Sequence, residues 1–312
     1  MKIDELICGN NVEVLNKFRD ECIDLTVTSP PYDLIRKYKG AVMDTGHNGY
    51  SFPFEPLADQ LYRVTKQGGV VVWVVNDGTD KDGSETGNSF RQALYFKSLG
   101  FNIHDTMFYE KNGPNHPDTN RYYQTVEYMF VLSKGKPKTI RLINDRANKW
   151  VGNWGTKTIR DGEDKLKAQK KYENSFHGVR FHLWRYFTGK GYSTKDEIAF
   201  EHPAIFPEEL ARDHILSWSN VGDVVLDPFI GSGTTAKMAM IHRRHYIGID
   251  INREYVDLTR RRLALHSNDL DLDTEYSDEA FIESIKEEAK IKEIKKQSEE
   301  DLDAENTLSE LF

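Results

Sequence analysis

The sequence contains few cysteines and no long apolar run, and both absences narrow what the protein can be. Two cysteines, Cys8 and Cys22, are too few for a disulfide framework or a cysteine-rich zinc site. No apolar run approaches the roughly 18 residues that cross a bilayer, and the N-terminal MKIDELICGN lacks the apolar centre of a signal peptide. The ten histidines show no metal-ligand spacing. We therefore expect a cytoplasmic protein with no membrane partner and no metal ion.

Acidic residues outnumber basic ones overall, but the basic residues are concentrated in one part of the chain. The 312 residues carry a net charge of −8. Residues 268–312 hold 5 Lys and 16 Asp or Glu, a local charge of −11, so the remaining residues carry +3. Residues 134–195 hold 16 Lys or Arg against 5 Asp or Glu, interleaved with aromatic residues. A polyanionic partner is therefore allowed, and this basic block is where we expect it to bind.

Apolar, β-branched runs alternate with helical patterns along most of the chain. The strand patterns are at residues 24–28, 69–75, 101–109, 125–132, 224–226 and 246–249. The helical patterns are at residues 56–66, 89–99, 207–217, 235–242 and 253–266. This alternation predicts a doubly wound, mostly parallel α/β sheet with helices on both faces. The strands on either side of residues 112–123 have no helix between them, which predicts an antiparallel hairpin at one edge.

Residues 227–235 (DPFIGSGTT) run from a strand through a glycine turn into a helix. Such a turn lets backbone N–H groups approach a ligand closely, and Gly231 and Gly233 leave room beside the backbone. Asp227 ends the strand as a carboxylate able to meet an ammonium group, and no Gly-Lys-Ser/Thr follows to make a Walker phosphate loop. The next strand ends at Asp250, where doubly wound folds place an acid against ribose hydroxyls. An acid at a strand end can also be a helix cap, so Asp250 by itself leaves both interpretations open.

Residues 28–32 (TSPPY) follow a predicted parallel strand, at the edge where open sheets bind their ligands. Two successive prolines fix φ and remove donors, so the local carbonyl groups project as acceptors. An amino group on an aromatic ring needs such acceptors, because its lone pair is delocalised into the ring. The Ser29 hydroxyl and the Pro30 carbonyl can supply them, and Tyr32 can stack on such a ring. Taken alone, this segment could also be a proline-stiffened turn.

The two segments together, in this order, resemble those of the permuted, beta-type group of S-adenosylmethionine-dependent DNA amino-methyltransferases. Residues 202–210 (HPAIFPEEL) resemble the segment that closes the cofactor pocket in that group. The resemblance covers roughly residues 5–135 and 200–266. It implies a seven-stranded methyltransferase sheet with an antiparallel edge hairpin and an inserted target-recognition region.

The resemblance also implies a division of the chain and a set of site residues. Residues 1–135 would form the catalytic half of the domain, 136–199 the target-recognition insertion, 200–267 the cofactor-binding half and 268–312 an acidic helical tail. Cofactor contacts are expected from Asn10, Thr28, Phe206, Asp227, Phe229, Gly231, Ser232, Gly233, Thr234, Thr235 and Asp250. Contacts to the base are expected from Ser29, Pro30, Pro31 and Tyr32, with Tyr109 as a second wall. Asn10 departs from the group, which has an acid at that position. The basic segment 33–40 could grip phosphates beside the flipped nucleotide.

The expected reaction is methyl transfer from S-adenosylmethionine to an amino nitrogen of duplex DNA, directly to a flipped base. Methylation at cytosine C5 is disfavoured, because it needs a cysteine nucleophile in a catalytic context. Ser29 at the first loop position is more frequent in cytosine-N4 enzymes, while adenine-N6 transfer remains the alternative. A catalytically inactive DNA-binding subunit and an RNA or small-molecule amine methylase are the other hypotheses. A place in a restriction-modification system, with a cognate restriction endonuclease, is expected from the resemblance. The sequence leaves monomer and homodimer open.

Overall fold

The computed structural model describes residues 2–31, 52–80, 82–113, 120–160, 163 and 165–266. The helices are α1 (Asn11–Leu15), α2 (Phe54–Val64), α3 (Asn88–Leu99), α4 (Glu208–Trp218), α5 (Thr234–Ile241) and α6 (Arg253–Leu265), with a 3-10 helix at Glu197–Glu201. The strands are β1 (Glu5–Cys8), β2 (Ile23–Thr28), β3 (Thr65–Val75), β4 (Asn102–Glu110), β5 (Val126–Ser133), β6 (Arg146–Ala147), β7 (Gly152–Arg160), β8 (Leu166–Asn174), β9 (His177–Gly178), β10 (Leu183–Arg185), β11 (Val224–Asp227) and β12 (His245–Asp250).

Eight strands of the described residues form one sheet in the order β1-β12-β11-β2-β3-β5-β4-β10. Strand β5 is antiparallel to both of its neighbours, and every other pair is parallel. The predicted doubly wound, mostly parallel α/β sheet is thus confirmed. The chain runs outward from β11 to β12 in one direction and from β2 to β3 in the other. Such a reversal opens a crevice at the carboxyl ends of β11 and β2, which is where open sheets bind ligands.

Strand β10 makes the sheet one strand wider than the predicted seven, and it takes the outer edge from the β4–β5 hairpin. It pairs in parallel with β4, placing Arg185 opposite Glu110. The two side chains form an ion pair with a 2.8 Å contact, and Trp184 stacks on His214 with ring centroids 4.7 Å apart. A three-residue strand carries no periodic signal, and its partner lies far away along the chain, so the pattern alone could not place it.

The central strands form because their side chains are buried on both faces. In β3 the run Val70–Val75 is at most 3% exposed, so it reads as a continuous apolar stretch. The indole Nε1 of Trp73 donates to Gln92 Oε1 on α3 over 2.9 Å, which satisfies its one polar group inside the core. On α2, Leu57, Leu61 and Val64 lie on one face and are fully buried. Each such side chain contributes about 2 kcal/mol to folding.

The contacts divide the described chain into two units, and the sheet belongs to the first. Among the described residues, the second unit covers Leu142–Phe181. Within it, β7 pairs with β8 and β6 with β9, both antiparallel, and Arg180 forms an ion pair with Asp145. This unit lies inside the predicted insertion 136–199, whose outer residues belong to the first unit.

Several expectations concern parts of the chain that the structure does not describe. Tyr32, the basic segment 33–40 and the acidic tail 268–312 lie outside the described residues. Within the described ranges, none of the helices combines the length and the apolar character needed to span a membrane.

Candidate active site

A cavity of about 330 Å³ opens at the carboxyl ends of β2, β11 and β12. Ligand pockets are typically of this size or larger. The expected site residues that line it are Ser29, Pro30, Pro31, Phe206, Phe229, Gly231, Ser232, Thr234 and Asp250. Tyr109, expected as a wall of the base pocket, lines it too. The fold therefore brings the two distant motifs and residues 202–206 around one volume.

The glycine loop, residues 227–235, needs glycine at two positions because of two different neighbours. At Gly231 φ is +49°, and a Cβ there would lie 3.0 Å from the ring of His202. At Gly233 φ is +85°, and a Cβ would lie 2.6 Å from the side chain of Thr259 on α6. Both conformations favour glycine. Helix α5 begins directly afterwards with no side-chain cap, so the N–H groups of its first turn can be satisfied by water or a ligand.

A buried arginine on α6 is hydrogen-bonded to the glycine loop. Arg262 on α6 is 0% exposed, and its Nη1 donates to the Ser232 carbonyl over 2.9 Å and to Thr234 Oγ1 over 3.2 Å. Its Nε donates to Asp196 Oδ2 over 2.8 Å, and its Nη2 donates to Glu208. Burial raises the pKa of Asp196, but hydrogen bonds from Lys237 and Arg262 outweigh this and hold the pKa well below its usual range. The loop thus rests on a buried cluster of ion pairs.

Asp250 lies at the end of β12 with its carboxylate in the cavity wall. Its Oδ2 accepts from the Gly231 N–H over 3.1 Å, and its Oδ1 accepts from the Asn252 N–H over 2.8 Å. Burial raises the pKa of Asp250 to about 6, against the opposing effect of these hydrogen bonds. Each oxygen can accept a further bond, so the carboxylate is arranged to receive hydroxyl donors.

Asp227 lies behind the cavity wall. Its Oδ1 accepts from the Thr28 hydroxyl over 2.7 Å and from the Phe229 N–H over 3.0 Å. Its Oδ2 is buried and has no hydrogen-bond partner in the part of the chain that the structure describes. Burial is the main reason why the pKa of Asp227 is raised to about 6. An unsatisfied carboxylate oxygen beside the glycine loop fits a positively charged donor that enters there.

Besides Asp227, four other expected cofactor residues do not line the cavity, and each holds a structural element instead. Asn10 caps α1, accepting from the N–H groups of Val12 and Glu13 over 3.0 and 3.2 Å. The Thr28 hydroxyl ties β2 to Asp227, and the Thr235 hydroxyl donates to the Val27 carbonyl over 3.1 Å. Gly233 packs against α6.

The cavity also contains residues that the sequence analysis did not single out. His202 and Tyr255 meet edge to face, with ring centroids 4.4 Å apart. On the opposite side, the ion pair of Lys111 and Glu127 contributes to the wall, with a 2.7 Å contact. His202 begins the 202–210 run and could have been found from it. Arg262 acts through partners distant in sequence and carried no local signal, whereas Lys111 and Glu127 lie in two segments that resemble the paired strands flanking the base pocket of the beta-type group.

Comparisons with known proteins agree with this geometry. The family profile N6_N4_Mtase, described as DNA methylase, matches residues 23–261. The orphan methyltransferase M.BamHII of Bacillus amyloliquefaciens is 61% identical over 250 residues, which cover 78% of this chain and 89% of that protein. The Type II methyltransferase M.HpaI of Haemophilus parainfluenzae is 28% identical over 279 residues, covering 85% of this chain and 76% of that protein.

Among solved structures, the PvuII DNA methyltransferase (cytosine-N4-specific) superposes with a TM-score of 0.59 at 19% identity. The match covers 84% of this chain and 86% of that one, and at this identity it concerns the fold. The family match, in contrast, spans seven of the eight strands of the sheet, all but β1, together with the loop after β2 and the glycine loop. The chain therefore belongs to the N6/N4 DNA methylase family, whose methyl donor is S-adenosylmethionine.

Proposed function

We propose that the protein methylates the N4 amino group of cytosine in duplex DNA, acting directly on a base turned out of the helix. The observation that carries this proposal is the shared cavity. Ser29 and Pro30 line it on one side, and Gly231 and Asp250 line it on the other. An amino group held at Ser29 would therefore lie in the same volume as a methyl donor held at Asp250. Proximity of this kind is a major source of rate in group transfer.

The residues present fit S-adenosylmethionine. Asp250 offers carboxylate acceptors for the two ribose hydroxyl groups, while Asp227 has a buried oxygen without a partner near the glycine loop. Phe206 and Phe229 supply apolar surface in the wall, and Phe229 is itself packed on Phe52 with ring centroids 5.0 Å apart. When bound, S-adenosylmethionine supplies an electrophilic methyl group on its sulfonium sulfur.

The loop after β2 is suited to activating an amino group. The Ser29 hydroxyl and the Pro30 carbonyl can each accept one N–H bond from it, which helps to localise the nitrogen lone pair towards the methyl group. As the N–C bond forms and the S–C bond breaks, the nitrogen becomes positive. The same two acceptors then stabilise the charged nitrogen until one proton leaves to solvent. This chemistry requires neither a covalent intermediate nor a metal ion. Tyr32 lies outside the described residues, and its stacking role is part of the proposal.

The second unit supports a role for residues 136–199 in DNA recognition. Its surface exposes Trp150, Phe176 and Phe181. Basic side chains lie over two aromatic rings of the unit, with Arg146 4.5 Å from the centroid of Phe181 and Lys149 5.5 Å from that of Trp150. Exposed aromatic groups beside cations suit contacts to bases and phosphates.

Cytosine N4 is favoured over adenine N6 because serine begins the Ser-Pro-Pro-Tyr segment. The PvuII enzyme is named as cytosine-N4-specific, but its likeness to this chain concerns the fold.

One relative is named an orphan methyltransferase and another a Type II methyltransferase. We extend the proposal to action in the cytoplasm, within a restriction-modification system. The pairing with an endonuclease is part of the proposal.

The test is to incubate the purified chain with methyl-labelled S-adenosylmethionine and mixed-sequence duplex DNA, and to identify the labelled nucleoside by mass. N4-methylcytosine supports the proposal in full. N6-methyladenine would leave the proposed active site unchanged and show that the target base is adenine. Absence of label in DNA, in a preparation that binds the cofactor, contradicts the proposal and favours the inactive DNA-binding subunit. RNA of matched composition is the control for an RNA methylase.

A further inference from the structure

Three polar side chains project into the cavity from the end of the β4–β5 hairpin, and the methyl-transfer step described above does not use them. Tyr109 on β4 lies directly opposite Glu127 on β5 in the strand register. Lys111 follows two residues after Tyr109, and its N–H donates to the Thr125 carbonyl over 2.8 Å, which continues the pairing. Because side chains alternate along paired strands, Tyr109, Lys111 and Glu127 share one face of the hairpin.

The Lys111–Glu127 pair is buried, although it lies in a cavity wall. The side chains of Lys111 and Glu127 are 6% and 11% exposed, and Nζ lies 2.7 Å from Oε1. Removing two charges from water is costly, and a buried ion pair is often no more stabilising than apolar residues of the same volume. A purely structural role at the hairpin end would therefore be met equally well by apolar residues. The position in the cavity suggests a role towards the ligand.

A second observation points to a ligand at the same place. The Tyr109 side chain is 2% exposed, and its hydroxyl has no hydrogen-bond partner within the ranges that the structure describes. Burial, followed by the negative charge of Glu127, raises the pKa of Tyr109, so the group stays a neutral phenol. Buried hydroxyl groups nearly always have a partner. A polar molecule in this part of the cavity would supply one.

The sheet order sets the distance between these residues and the loop that holds the amino group. Ser29 follows the carboxyl end of β2, and Glu127 is near the start of β5, which runs the other way, so both are at the same edge of the sheet. One strand, β3, separates β2 from β5, and Lys111 follows β4, which is one strand further out. Two to three strand spacings amount to about 10–15 Å between the backbones, a gap in which the Lys111 side chain and the amino-bearing edge of one planar base fit together.

We infer that Lys111, held in place by Glu127, reads the target base by donating a hydrogen bond to the ring nitrogen beside its amino group. This ring nitrogen is N3 in cytosine and N1 in adenine. The inference rests on the proposed function. An ammonium group has three donors and no acceptor, and one donor is used by Glu127. The remaining N–H groups can bond only to a base whose ring nitrogen is unprotonated and can act as an acceptor. Thymine and guanine carry a hydrogen on the corresponding nitrogen and are rejected.

Glu127 has two roles as a positioning residue. Its hydrogen bond fixes the direction of the long and flexible Lys111 side chain. Its negative charge also offsets that of the ammonium group, which would otherwise repel the positive charge that develops on the methylated nitrogen. The pair thus presents a directional donor without adding net charge beside the reacting atom.

The test is a double-mutant cycle between the protein and the base. The wild-type chain is compared with the double variant Lys111→Met/Glu127→Leu, which removes both charges together and keeps the apolar volume. The substrate is a duplex with the site mapped from the wild-type product. In a second duplex the target base is 3-deazacytosine, in which a C–H group replaces N3. If the wild-type product is N6-methyladenine, 1-deazaadenine replaces adenine.

On the wild-type chain, we expect the deaza base to lower kcat/KM on the order of 10- to 100-fold, as for a hydrogen bond from a charged donor. On the natural duplex, the kcat/KM of the double variant should be lower than that of the wild type by the same factor. Replacing the target base with the deaza base should then lower the kcat/KM of the double variant almost no further. Intrinsic effects of the deaza base on the amino group act on both proteins and cancel. If the two losses instead multiply, the inference is overturned while the proposed function stands. A wild-type chain that methylates no DNA would overturn both.

Two further variants separate the effect of Glu127 on base recognition from any effect on the fold. Glu127→Gln keeps an acceptor for Lys111 and should retain most of the coupling, while Glu127→Leu should lose it with cofactor affinity unchanged. Full coupling in Glu127→Leu would contradict the positioning role. The control is Asp257→Asn/Arg260→Gln, an exposed ion pair on α6 with side chains 50% and 56% exposed. It should behave as the wild type on both duplexes.

Discussion

The two sides of the cavity differ in how their polar groups are satisfied. On the side of β11 and β12, Asp250 accepts two backbone N–H bonds and Arg262 is bonded to the glycine loop and to two carboxylates. On the side of the β4–β5 hairpin, the Tyr109 hydroxyl has no partner among the described residues. The side proposed to hold the cofactor is therefore held in place by the chain itself, whereas the side proposed to hold the base presents polar groups that a substrate would complete. Such a difference suits an enzyme that holds its cofactor in a fixed geometry and then selects a base.

The largest expected effect comes from removing Arg262, the buried cation that is hydrogen-bonded to the glycine loop. Arg262→Met should lower the free energy of unfolding by about 3–5 kcal/mol, because Asp196 and Glu208 would stay buried after losing one of the two cations, Arg262 and Lys237, that pair with both of them. Urea unfolding at neutral pH measures this. Arg260→Met, at an exposed ion pair on the same helix, should change stability by less than about 0.5 kcal/mol. Equal effects of the two variants would contradict the supporting role of Arg262.

Asp250→Ala should affect cofactor binding more than transfer. Loss of a charged acceptor for two hydroxyl groups corresponds to a dissociation constant for S-adenosylmethionine raised on the order of 10- to 100-fold. At saturating cofactor, the rate of methyl transfer should stay within about threefold of the wild type. Calorimetry and single-turnover kinetics measure the two quantities, and Asp257→Ala on the surface of α6 is the control. Unchanged cofactor affinity would remove Asp250 from the site.

Lowering the pH should weaken the binding of S-adenosylmethionine while raising the free energy of unfolding of the ligand-free chain. The pKa values of Asp227 and Asp250 are raised to about 6 by burial, and the cofactor prefers their ionised forms. Affinity for S-adenosylmethionine should therefore be constant above about pH 7 and fall roughly tenfold per group for each pH unit below 6. Because the folded pKa values exceed the unfolded ones, protonation of these groups stabilises the free chain as pH falls from 6 towards 4.

Calorimetric titrations between pH 5 and 8 measure the cofactor dependence. Asp250→Asn should remove its share of the slope. A wild-type affinity that does not change over this range would show that neither carboxylate meets the cofactor in ionised form.

The smallest expected effect concerns the base side. Ser29→Ala removes one neutral acceptor, so kcat should fall by about tenfold while cofactor affinity remains unchanged. Single-turnover transfer to DNA measures it. Ser98→Ala, an exposed serine near the end of α3, is the matched control. A loss of cofactor affinity in Ser29→Ala would mean that the two sides of the cavity are not separate in the way the contacts indicate.

The parts of the site that could be predicted are those with local causes. The glycine loop was predictable because a strand, two glycines and a helix follow one another within a few residues, and Asp250 because it ends the next strand. Arg262 was not, since its partners Asp196 and Glu208 are 66 and 54 residues away along the chain. The roles of Thr28 and Thr235 also depended on packing, because the pairing of β2 with β11 brings the Thr28 hydroxyl to Asp227, and the packing of α5 on β2 brings the Thr235 hydroxyl to Val27.

The sequence by itself determined the alternation of strands and helices, the two motifs and the class of chemistry, because periodicity, proline and glycine act over a few residues. The tertiary structure alone decided that the motifs share one cavity, that β10 takes the sheet edge, and that Lys111 and Glu127 meet there. Those outcomes depend on strand order and register. They are set by burial and pairing between residues far apart in the chain, which no short segment encodes.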